Sequence, residues 1–457
     1  MSGALGTLLA GALGSLAHPV GSTDGEEKSG EQLLALAAQV ERALAAHGVA
    51  AGEPVLVRMG NRPLDIGALL GVWRAGAVAV PLSVTAAPTT YDRLRGQTGA
   101  RVLVDDERLE VIASTPPAER PLLREAALVM FTSGSTGLPK GAVVGHQRLA
   151  DKLAVLDHLL CFERGDVVLV PLQLTFIFGL WVSLLALMKG AHLILVSKFS
   201  TEAMARGLAD ATVLGGVPSM FRSLLAEAPP PAPRLHKILT GGEVLPPHLA
   251  RRLRDYTQAD IHDLFGLTET GTCDFHCGPA EQPQGFGSIG RATKGVEFCI
   301  AANGELQIRS PFGMLGYLDD PQLSEASFED GYFKTGDLAR VTEEGYVALI
   351  GRAKDIVSRG GVKIAPLEVD HLLAEHPDVA AALCAGVPDE RLGEVLHAVI
   401  VPRQGVALDA ASLRDWLLQR TERYKVPEVF YFRDALPSGS TGKADRRAVA
   451  RMAEGNG

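Results

Sequence analysis

The sequence predicts an α/β fold: a large N-terminal domain of packed mixed and parallel sheets with helices, which includes a β-rich subdomain, and a small α+β C-terminal domain. Strand-like runs alternate with helix-like runs between residues 32 and 218. Short runs of strand formers, separated by Gly or Asn turns, begin near residue 289, and the pattern changes again near residue 352. At 457 residues the chain is long enough for two or more domains, which we assign to residues 1–352 and 353–457.

The individual elements follow from the apolar patterning. It predicts helices over residues 32–47, 66–75, 178–188 and 201–208. It predicts strands over residues 54–57, 77–81, 167–171, 192–196 and 212–218. Because these strands and helices alternate, the sheet should be parallel with helical crossovers. Antiparallel strands are expected later, over residues 296–300, 306–309 and 346–350.

Composition and charge disfavour a nucleic-acid role. The chain has 44 Lys and Arg against 53 Asp and Glu, a net charge of −9, and no basic block. A nucleic-acid-binding protein would need a face rich in Lys and Arg. The 5 cysteines are odd in number and have no regular spacing, which indicates reduced thiols and a cytoplasmic protein.

The sequence predicts neither a membrane span nor a secretory signal. The apolar run 176–188 is too short to cross a bilayer. The N-terminal residues 1–20 are apolar, but no Lys or Arg precedes Lys28, whereas a signal peptide begins with positive charge. We therefore expect a frayed or loosely packed start to the chain.

The stretch 131–141, FTSGSTGLPKG, is a candidate phosphate-binding loop. It follows the apolar run 126–130, so a strand feeds a loop of Gly, Ser and Thr that contains one lysine. Glycines let backbone N–H groups approach phosphate oxygens, the hydroxyls donate hydrogen bonds, and Lys140 supplies a positive charge. Leu138 and Pro139 separate the last glycine from the lysine, so the loop is not a Walker motif and a helix should not follow directly. A flexible surface turn is the alternative.

Two carboxylates follow that suit the rest of a nucleotide. Residues 264–270, LFGLTET, offer an aromatic ring, a glycine, two hydroxyls and Glu269, a suitable ligand for Mg²⁺ on phosphates. Asp337, in a Gly-Asp turn, can accept hydrogen bonds from both ribose hydroxyls, and Arg352 adds a fixed guanidinium. The alternatives are a solvated loop acid at Glu269 and a structural turn residue at Asp337.

With residues 238–246, ILTGGEVLP, and the C-terminal LPSGSTGKADRRAV, these motifs resemble the AMP-forming adenylate ligases: acyl-CoA synthetases, peptide-synthetase adenylation domains and beetle luciferases. The resemblance covers roughly residues 128–447, and residues 32–83 also look like the opening of that family. The chain is most similar to a carboxylic acid–CoA ligase. The resemblance implies ATP, Mg²⁺ and coenzyme A as cofactors and a mobile C-terminal domain.

The resemblance also implies a role for each motif residue. The ATP phosphates are expected at Thr132, Ser133, Gly134, Ser135, Thr136 and Lys140. The adenine is expected at Phe265, Gly242, Glu243 and Val244, and the ribose at Asp337 and Arg352. The catalytic residues are expected to be Thr268, Glu269, which binds the metal, and Lys443, which neutralises charge on the carboxylate and the α-phosphate.

Three C-terminal residues are implied to serve the second half of the reaction. Lys354 corresponds to the hinge about which the small domain swings. Gly360 and Gly361 resemble the loop that lines the pantetheine tunnel after the swing.

The substrate is expected to be an apolar carboxylic acid. Ile177 stands where amino-acid-activating relatives carry an aspartate that pairs with the substrate ammonium, and burying an unpaired ammonium is costly. An α-amino acid is therefore disfavoured. The residues expected around the acyl group are Phe176, as the gate, and Phe178, Trp181, Gly241 and Gly266. A small aromatic, alicyclic or medium aliphatic acid fits these residues, although Trp181 could equally be helix core.

Two other functions stay open. The acceptor could be the phosphopantetheine of an acyl or peptidyl carrier protein, although no carrier sequence follows Lys443 and free CoA is favoured. A non-catalytic nucleotide-binding protein would require decay of the motif residues, all of which are intact. Cys273, His276 and Cys277 invite a metal site, but no second closely spaced pair completes one, so incidental small side chains beside an active site are favoured.

Overall fold

The computed structural model describes residues 3–105, 108–115, 117–132, 139–227, 231–403, 405–437, 444–453 and 455. Its α-helices are α1 (Ala4–Gly14), α2 (Gly30–Ala46), α3 (Pro63–Arg74), α4 (Pro88–Thr98), α5 (His146–Leu160), α6 (Ile177–Met188), α7 (Thr201–Leu208), α8 (Pro218–Ala226), α9 (Pro247–Thr257), α10 (Pro321–Ala326), α11 (Pro366–Ala374), α12 (Ala410–Leu418) and α13 (Arg446–Ala453). Short 3₁₀ helices occupy Pro121–Leu123, Pro279–Glu281, Ala353–Asp355 and Arg423–Lys425.

The strands of the described residues fall in two stretches. The first holds β1 (Val20–Ser22), β2 (Glu27–Lys28), β3 (Pro54–Met59), β4 (Val78–Ser83), β5 (Val102–Asp105), β6 (Arg108–Val111), β7 (Ala126–Thr132), β8 (Lys140–Gly145), β9 (Val167–Val170), β10 (His192–Leu195), β11 (Val213–Gly216), β12 (Lys237–Gly241), β13 (Asp260–Phe265), β14 (Phe275–Cys277) and β15 (Arg291–Ala292). The second holds β16 (Glu297–Ile300), β17 (Glu305–Arg309), β18 (Gly316–Tyr317), β19 (Phe328–Glu329), β20 (Tyr332–Val341), β21 (Val347–Arg352), β22 (Val357–Arg359), β23 (Val362–Ile364), β24 (Val379–Asp389), β25 (Gly393–Pro402) and β26 (Val429–Phe432).

A nine-stranded sheet contains the longest parallel run. Its order is β15-β14-β13-β12-β11-β9-β10-β1-β2, and every pair from β13 to β1 is parallel. Helices α6 to α9 connect β9, β10, β11, β12 and β13 in chain order. The predicted parallel sheet with helical crossovers is therefore confirmed. Because parallel neighbours end at the same edge, the loops that follow these strands are brought together.

A seven-stranded sheet carries the candidate phosphate loop. Its order is β18-β8-β7-β4-β3-β5-β6, with β3, β4, β5 and β7 parallel and β8 antiparallel to β7. The loop leaves β7 at Thr132 and enters β8 at Lys140, and these two residues are partners in the strand register. A strand follows the lysine, which agrees with the prediction that a helix should not follow it directly.

The largest apolar cluster joins these two sheets through the helices α2, α3, α5 and α6. It includes Val57 of β3 and Val170 of β9, both fully buried. Gly71 of α3 lies so close to α2 that a Cβ atom there would be 2.6 Å from a side-chain atom of Val40. The two sheets are therefore held at a fixed separation by close-packed helices.

The N-terminus is a packed helix, and the expectation of a frayed or loosely packed start was wrong. Helix α1 places Leu5, Leu9 and Leu13 in the main cluster, at 2%, 1% and 2% exposure. It packs against α2, α3, α5 and α6. The spacing of four residues puts the three leucines on one face, and packing of that face supplies the stability that a short helix lacks in isolation.

Helix α2 begins two residues earlier than predicted because a capping box starts it. The backbone N–H of Gln32 donates to Ser29 Oγ at 3.2 Å, and the backbone N–H of Ser29 donates to Gln32 Oε1 at 2.9 Å. These bonds satisfy N–H groups that have no partner inside the helix.

The last third of the chain forms two smaller sheets. Strands β16, β17, β19, β20 and β21 make the antiparallel sheet predicted for the β-rich subdomain. Strands β22 to β26 form a separate sheet, and α11 and α12 cover its own apolar core. The predicted domain boundary at residues 352 and 353 falls between these two sheets, where β21 ends.

Among the described residues, no helix combines the length and the apolar character that a membrane crossing requires.

We predict that α1 contributes to stability through Leu9. Truncation of this buried side chain by Leu9→Ala should lower the free energy of unfolding by about 2–5 kcal/mol, since it removes apolar contacts and leaves a cavity. Leu8 is 39% exposed on the same helix, so Leu8→Ala should change that free energy by less than about 0.5 kcal/mol. Urea unfolding of the two variants measures the difference. Equal effects would contradict the packing of α1.

Candidate active site

A cavity of about 740 Å³ lies at the carboxyl ends of the parallel strands. Its wall takes residues from the loops that follow β9, β11, β12 and β13 and from the end of β7. Residues of β20 and the end of β21 complete it. Ligands of open α/β sheets bind at this edge, because the loops after parallel strands converge there.

The two ends of the candidate phosphate loop lie at this cavity. Thr132 and Lys140, the strand residues that flank the loop, both line it. The Lys140 ammonium lies 5.5 Å from the centre of the Tyr317 ring. The remaining predicted phosphate ligands, Ser133, Gly134, Ser135 and Thr136, lie outside the described residues.

Glu269 is held beside Thr132, at the end of β7, by two hydroxyl groups. Thr132 Oγ1 donates to Glu269 Oε1 at 2.8 Å, and the Tyr317 hydroxyl donates to the same oxygen at 3.3 Å. Burial, followed by the charge of Glu269, raises the pKa of Tyr317, so its hydroxyl stays protonated as a donor. The bond to Thr132 joins the loop of the seven-stranded sheet to the segment that follows β13.

This arrangement fits a divalent cation on ATP phosphates. Mg²⁺ prefers one or two carboxylates combined with phosphate oxygens and water. Glu269 supplies one half-buried carboxylate, oriented through Oε1, directly beside the loop predicted to bind phosphate. The donor set present is therefore of the kind that Mg²⁺ requires.

Asp337 provides an acceptor for a diol. It is 4% exposed, and Arg352 Nε lies 3.0 Å from its Oδ1. Its Oδ2 is buried and has no hydrogen-bond partner among the described residues. Burial raises the pKa of Asp337, while the charge of Arg352 opposes that shift. A buried carboxylate oxygen without a donor is costly, and a ribose hydroxyl would satisfy it.

Gly336 and Arg352 line the cavity, whereas Asp337, which is next to Gly336 in the chain and pairs with Arg352, is not among the lining residues. Their positions follow from the hairpin of β20 and β21, in which Asp337 and Arg352 are register partners. The two predicted ribose residues are therefore brought together by strand pairing.

The predicted adenine loop lies at the edge of the same cavity. Gly242 and Glu243 line it, and Val244 is half-buried next to them. Ser219 Oγ donates to Glu243 Oε1 at 3.0 Å, and Arg222 lies 3.3 Å from its other oxygen. Glu243 therefore connects this loop to helix α8.

Gly266 and Thr268, which follow β13, line the cavity, whereas Phe265, the last residue of β13, does not. The Phe265 ring packs edge-on against Phe275, with 6.0 Å between ring centres. A Cβ atom at Gly266 would clash with the backbone N–H of Cys273, so the glycine permits the chain to fold back on itself. The adenine-stacking role of Phe265 stays a prediction.

The other predicted acyl-site glycine, Gly241, is explained by strand packing. A Cβ atom there would clash with the backbone oxygen of Leu264 on β13. Gly241 therefore lets β12 and β13 approach, one residue before the cavity-lining Gly242.

Aromatic side chains at the start of α6 and within it line another part of the cavity wall. The Phe178 and Trp181 rings are stacked with 5.4 Å between their centres, and Trp181 Nε1 donates to Thr272 Oγ1 at 3.1 Å. Trp181 is 1% exposed, so it belongs both to the core and to the cavity wall. Phe176 is 43% exposed at the start of α6.

The positive charge of the lining comes from elements other than α6. The described cationic residues that line the cavity are Lys140, Lys334, Arg352 and Lys354. They come from β8, β20 and the end of β21, next to the predicted phosphate and ribose positions. Arg222, outside the lining, is paired with Glu243. We call the aromatic lining from α6 the apolar end of the cavity and the cationic lining its cationic end.

Sequence reasoning missed Tyr317, Lys334 and Thr272. Tyr317 reaches Glu269 because β18, a strand of only two residues, pairs with β8. No local pattern marks such a short strand. Lys334 stands only three residues before Asp337 on β20, so its place in that motif was the signal that could have identified it.

The structure describes three of the four functional residues predicted after residue 353. Lys354, in the 3₁₀ helix after β21, lines the cavity, and burial followed by the charge of Arg352 lowers its pKa. Gly360 and Gly361 form the exposed turn between β22 and β23, at φ angles of 54° and 87°, and lie outside the cavity lining. Lys443 lies outside the described residues.

The Cys273–Cys277 segment has a structural setting. His276 and His262 are stacked and share a hydrogen bond of 2.9 Å between Nε2 and Nδ1. Burial raises the pKa of both Cys273 and Cys277 to about 12, so these thiols are protonated. Among the described residues, no group of three His, Cys, Asp or Glu side chains could hold a metal ion.

The chain is similar to known proteins over most of its length. The AMP-binding enzyme family model matches residues 15–318, and the model of the AMP-binding enzyme C-terminal domain matches residues 368–443. Feruloyl-CoA synthase of Amycolatopsis sp is 31% identical over 91% of each chain. Indoleacetate–CoA ligase of Aromatoleum aromaticum is 30% identical over 92% of each chain.

Solved structures share the fold. ATP-bound MatB from Rhodopseudomonas palustris superposes with a TM-score of 0.87 at 24% identity, over 99% of each chain. The anthranilate CoA ligase AuaEII superposes with a TM-score of 0.88 at 22% identity, over 99% of this chain and 98% of that one. The predicted fold class, the enzyme class and the use of ATP, Mg²⁺ and coenzyme A are confirmed by these similarities. The chain belongs to the AMP-binding enzymes, as an AMP-forming acid–thiol ligase.

Proposed function

We propose that this ligase activates a carboxylic acid with an uncharged, apolar tail and transfers the acyl group to free CoA. The acid is a small aromatic, alicyclic or medium aliphatic one. The observation that carries this proposal is the separation of the cavity into an apolar end and a cationic end. An apolar tail gains free energy on burial against Phe176, Phe178 and Trp181, whereas a second carboxylate there would be buried without a partner.

The names of the relatives do not decide whether the tail of the acid is apolar or charged. They include feruloyl-CoA and indoleacetate ligases, and also oxalate and sulfoacetate ligases at 31% and 29% identity. The lining of this chain's own cavity is therefore the stronger guide. Arg222, which lies outside the cavity lining, is already paired with Glu243 and so is less available to a second acidic group.

In the first step, the acid carboxylate attacks the α-phosphate of ATP, forms an acyl-adenylate and releases pyrophosphate. Lys140 and Thr132 lie where they can bind the phosphate groups, and the predicted residue Lys443 would neutralise the charge that builds between carboxylate and phosphate. Bound Mg²⁺, which Glu269 would hold, offsets the negative charge of the phosphates. Asp337 would fix the nucleotide through its ribose.

In the second step, the thiol of CoA attacks the acyl carbonyl, so that a thioester forms and AMP leaves. We assign the hinge for this step to Lys354, in the 3₁₀ helix between β21 and β22. The exposed turn of Gly360 and Gly361 would then line the pantetheine tunnel. A hinge between two discrete orientations suits these positions, because the short connection joins two sheets that have separate cores.

The proposal also covers the acceptor of the acyl group and the location of the protein. A carrier protein is the alternative acceptor, and the experiment below separates it from CoA. A cytoplasmic location is supported by the cysteines: all 5 lie in the described ranges and all are free thiols.

We predict a large preference for uncharged tails. In matched pairs, benzoate should exceed terephthalate and hexanoate should exceed adipate in kcat/KM by at least about 100-fold, because the second carboxylate would be desolvated without a cation. Formation of AMP, measured with and without CoA, is the assay, and Lys443→Ala is the inactive control for adenylation.

Each contrary outcome has a distinct meaning. Equal activity with the dicarboxylates would overturn the apolar pocket. Pyrophosphate release that is independent of CoA would favour a carrier protein. No activity with any acid, at full ATP binding, would favour the non-catalytic nucleotide-binding protein.

We predict that Asp337 recognises the ribose hydroxyls of ATP. The wild type should prefer ATP over 2′,3′-dideoxy-ATP, and Asp337→Ala should lose that preference as its KM for ATP rises about 10–100-fold, which corresponds to loss of hydrogen bonds to a charged group. Glu343→Ala removes an exposed carboxylate from the turn of the same hairpin and should leave the preference intact. Steady-state kinetics with the two nucleotides test this, and a retained preference in Asp337→Ala would contradict it.

We predict that Glu269 sets the metal requirement. Glu269→Gln keeps the size of the side chain but loses its charge, so the Mg²⁺ concentration for half-maximal rate should rise at least about tenfold. Glu325→Gln changes an exposed carboxylate on α10 and serves as the matched control. Titration of AMP formation with Mg²⁺ gives both midpoints. Unchanged midpoints in both variants would remove the metal role from Glu269.

A further inference from the structure

A buried lysine lies behind the apolar end of the cavity. Lys152 of α5 has 0% exposure, and its Nζ donates to the backbone oxygen of Cys273 at 2.8 Å and to Thr293 Oγ1 at 3.1 Å. The ammonium also lies 5.1 Å from the centre of the Phe312 ring. A charged side chain is rarely fully buried unless hydrogen-bond partners satisfy it. The partners of Lys152 therefore indicate a specific role for this residue.

The turn that Lys152 contacts has an unfavourable backbone. Gly271, Thr272 and Cys273 have consecutive φ angles of 95°, 65° and 43°. Left-handed backbone is easy for glycine but unfavourable for threonine and cysteine, and it persists only where the surroundings impose it. A side chain at Gly271 would also clash with the backbone oxygen of Phe312, so the turn is confined from that side.

Two donors converge on one carbonyl of this turn. The backbone oxygen of Cys273 accepts from Lys152 and also from Thr293 Oγ1, the latter at 3.0 Å. The next residue is fixed too, because the backbone N–H of Thr293 donates to the backbone oxygen of Asp274 at 2.8 Å. The carbonyl end of the left-handed turn is thus bound from one side by α5 and from the other by Thr293.

Lys152 also offsets a buried carboxylate. Asp274 has 0% exposure, accepts a hydrogen bond from Thr270 Oγ1, and leaves Oδ1 without a hydrogen-bond partner among the described residues. Burial raises the pKa of Asp274 to about 7, and the charge of Lys152 is the first of the opposing influences. Removal of the lysine would therefore disturb both ends of the segment that begins at Thr270.

The turn forms part of the acyl end of the cavity. Thr272 and Cys273 both line the cavity, and Thr272 Oγ1 accepts the indole N–H of Trp181. Trp181 in turn stacks on Phe178. A chain of direct contacts therefore runs from Lys152 through the turn to the aromatic wall.

We propose that Lys152 is a positioning residue for the acid: it holds the Gly271–Cys273 turn in its left-handed conformation and thereby fixes Trp181 and the width of the acyl pocket. The ammonium does not contact the substrate. This role rests on the proposed function, because it assigns the acid tail to the aromatic end of the cavity.

The chain offers a matched control in Lys237. This lysine, at the start of β12, is 9% exposed, donates to the backbone oxygens of Leu160 and Cys161, and lies 5.4 Å from the centre of the Phe162 ring. Its surroundings thus resemble those of Lys152, but it is outside the cavity lining. Lys152→Met and Lys237→Met both replace a buried ammonium by an apolar chain of similar length.

The experiment compares the KM values of the acid and ATP in the two variants. Lys152→Met should raise the KM of the best acid about 10–100-fold, because a misplaced wall mispositions the substrate, while the KM of ATP changes less than about twofold. Lys237→Met should leave both KM values near those of the wild type. Equal changes in the two KM values for Lys152→Met, or the same acid effect in both variants, would overturn the positioning role.

A second readout does not depend on activity. Release of the turn should let a thiol reagent modify Cys273 at least about tenfold faster in Lys152→Met than in the wild type, with Cys277 and Cys384 still protected. All three cysteines are buried. Cys273 and Cys277 lie in the same part of the chain, so a merely destabilised N-terminal part would expose these two together. Mass spectrometry of the labelled sites distinguishes the two. Uniform labelling, or an unchanged rate at Cys273, would overturn the proposal even if the wild type used none of the acids offered.

A milder variant covers the case in which Lys152→Met does not fold. Thr293→Val keeps the side-chain shape but removes the second donor to the Cys273 carbonyl, and it should raise the acid KM without raising the ATP KM. Cys273→Gly should reduce the acid KM defect when added to either variant, since glycine adopts the left-handed backbone without strain. An unchanged acid KM in Thr293→Val would contradict the proposal. Absence of AMP formation with every acid in the wild type would instead contradict the proposed function.

Discussion

A hydrogen bond between Thr132 and Glu269 joins the two large sheets at the site, and most of the architecture serves to keep its two ends in register. Thr132 ends β7 of the seven-stranded sheet, and Glu269 follows β13 of the nine-stranded sheet. Neither sheet could set this distance alone. The helices packed between the sheets set this distance, because a close-packed core resists changes in volume that are smaller than one side chain. The phosphate loop and the candidate metal ligand are thus aligned by core packing.

The same packing of the two sheets separates the positively charged lining of the cavity from its aromatic lining. Residues from β8, β20 and β21 bring positive charge to one end, whereas α6 brings aromatic rings to the other. A carboxylic acid has this same polarity, with a charged head and an apolar tail. The cavity can therefore orient the acid before any specific contact is made, since each end would be unfavourable for the wrong part of the molecule.

The sequence was sufficient for features that depend on nearby residues. The alternation of strands and helices, the absence of a helix directly after Lys140 and the convergence of Asp337 with Arg352 all follow from short motifs or regular periods. Features that depend on distant partners were missed. Helix α1 has no side-chain cap at Gly3 and exists through tertiary packing. Lys152 would pass for a solvated helix residue, because its acceptor lies 121 residues further along the chain. Phe265 shows the converse: its motif suggests a ligand contact, while its ring packs against a neighbouring strand.

The pairing of Asp337 with Arg352 has an energetic consequence for the whole reaction. Arg352 is the last residue of β21, two positions before the assigned hinge, so the partner of the candidate ribose ligand sits at the pivot itself. A rotation there that moves Arg352 changes how strongly Asp337 can hold a nucleotide. By thermodynamic reciprocity, the nucleotide must then bias the rotation by the same coupling free energy. Occupancy of the ribose position and orientation of the C-terminal part would thus be a single linked equilibrium, which binding and release of the nucleotide shift without a separate sensor.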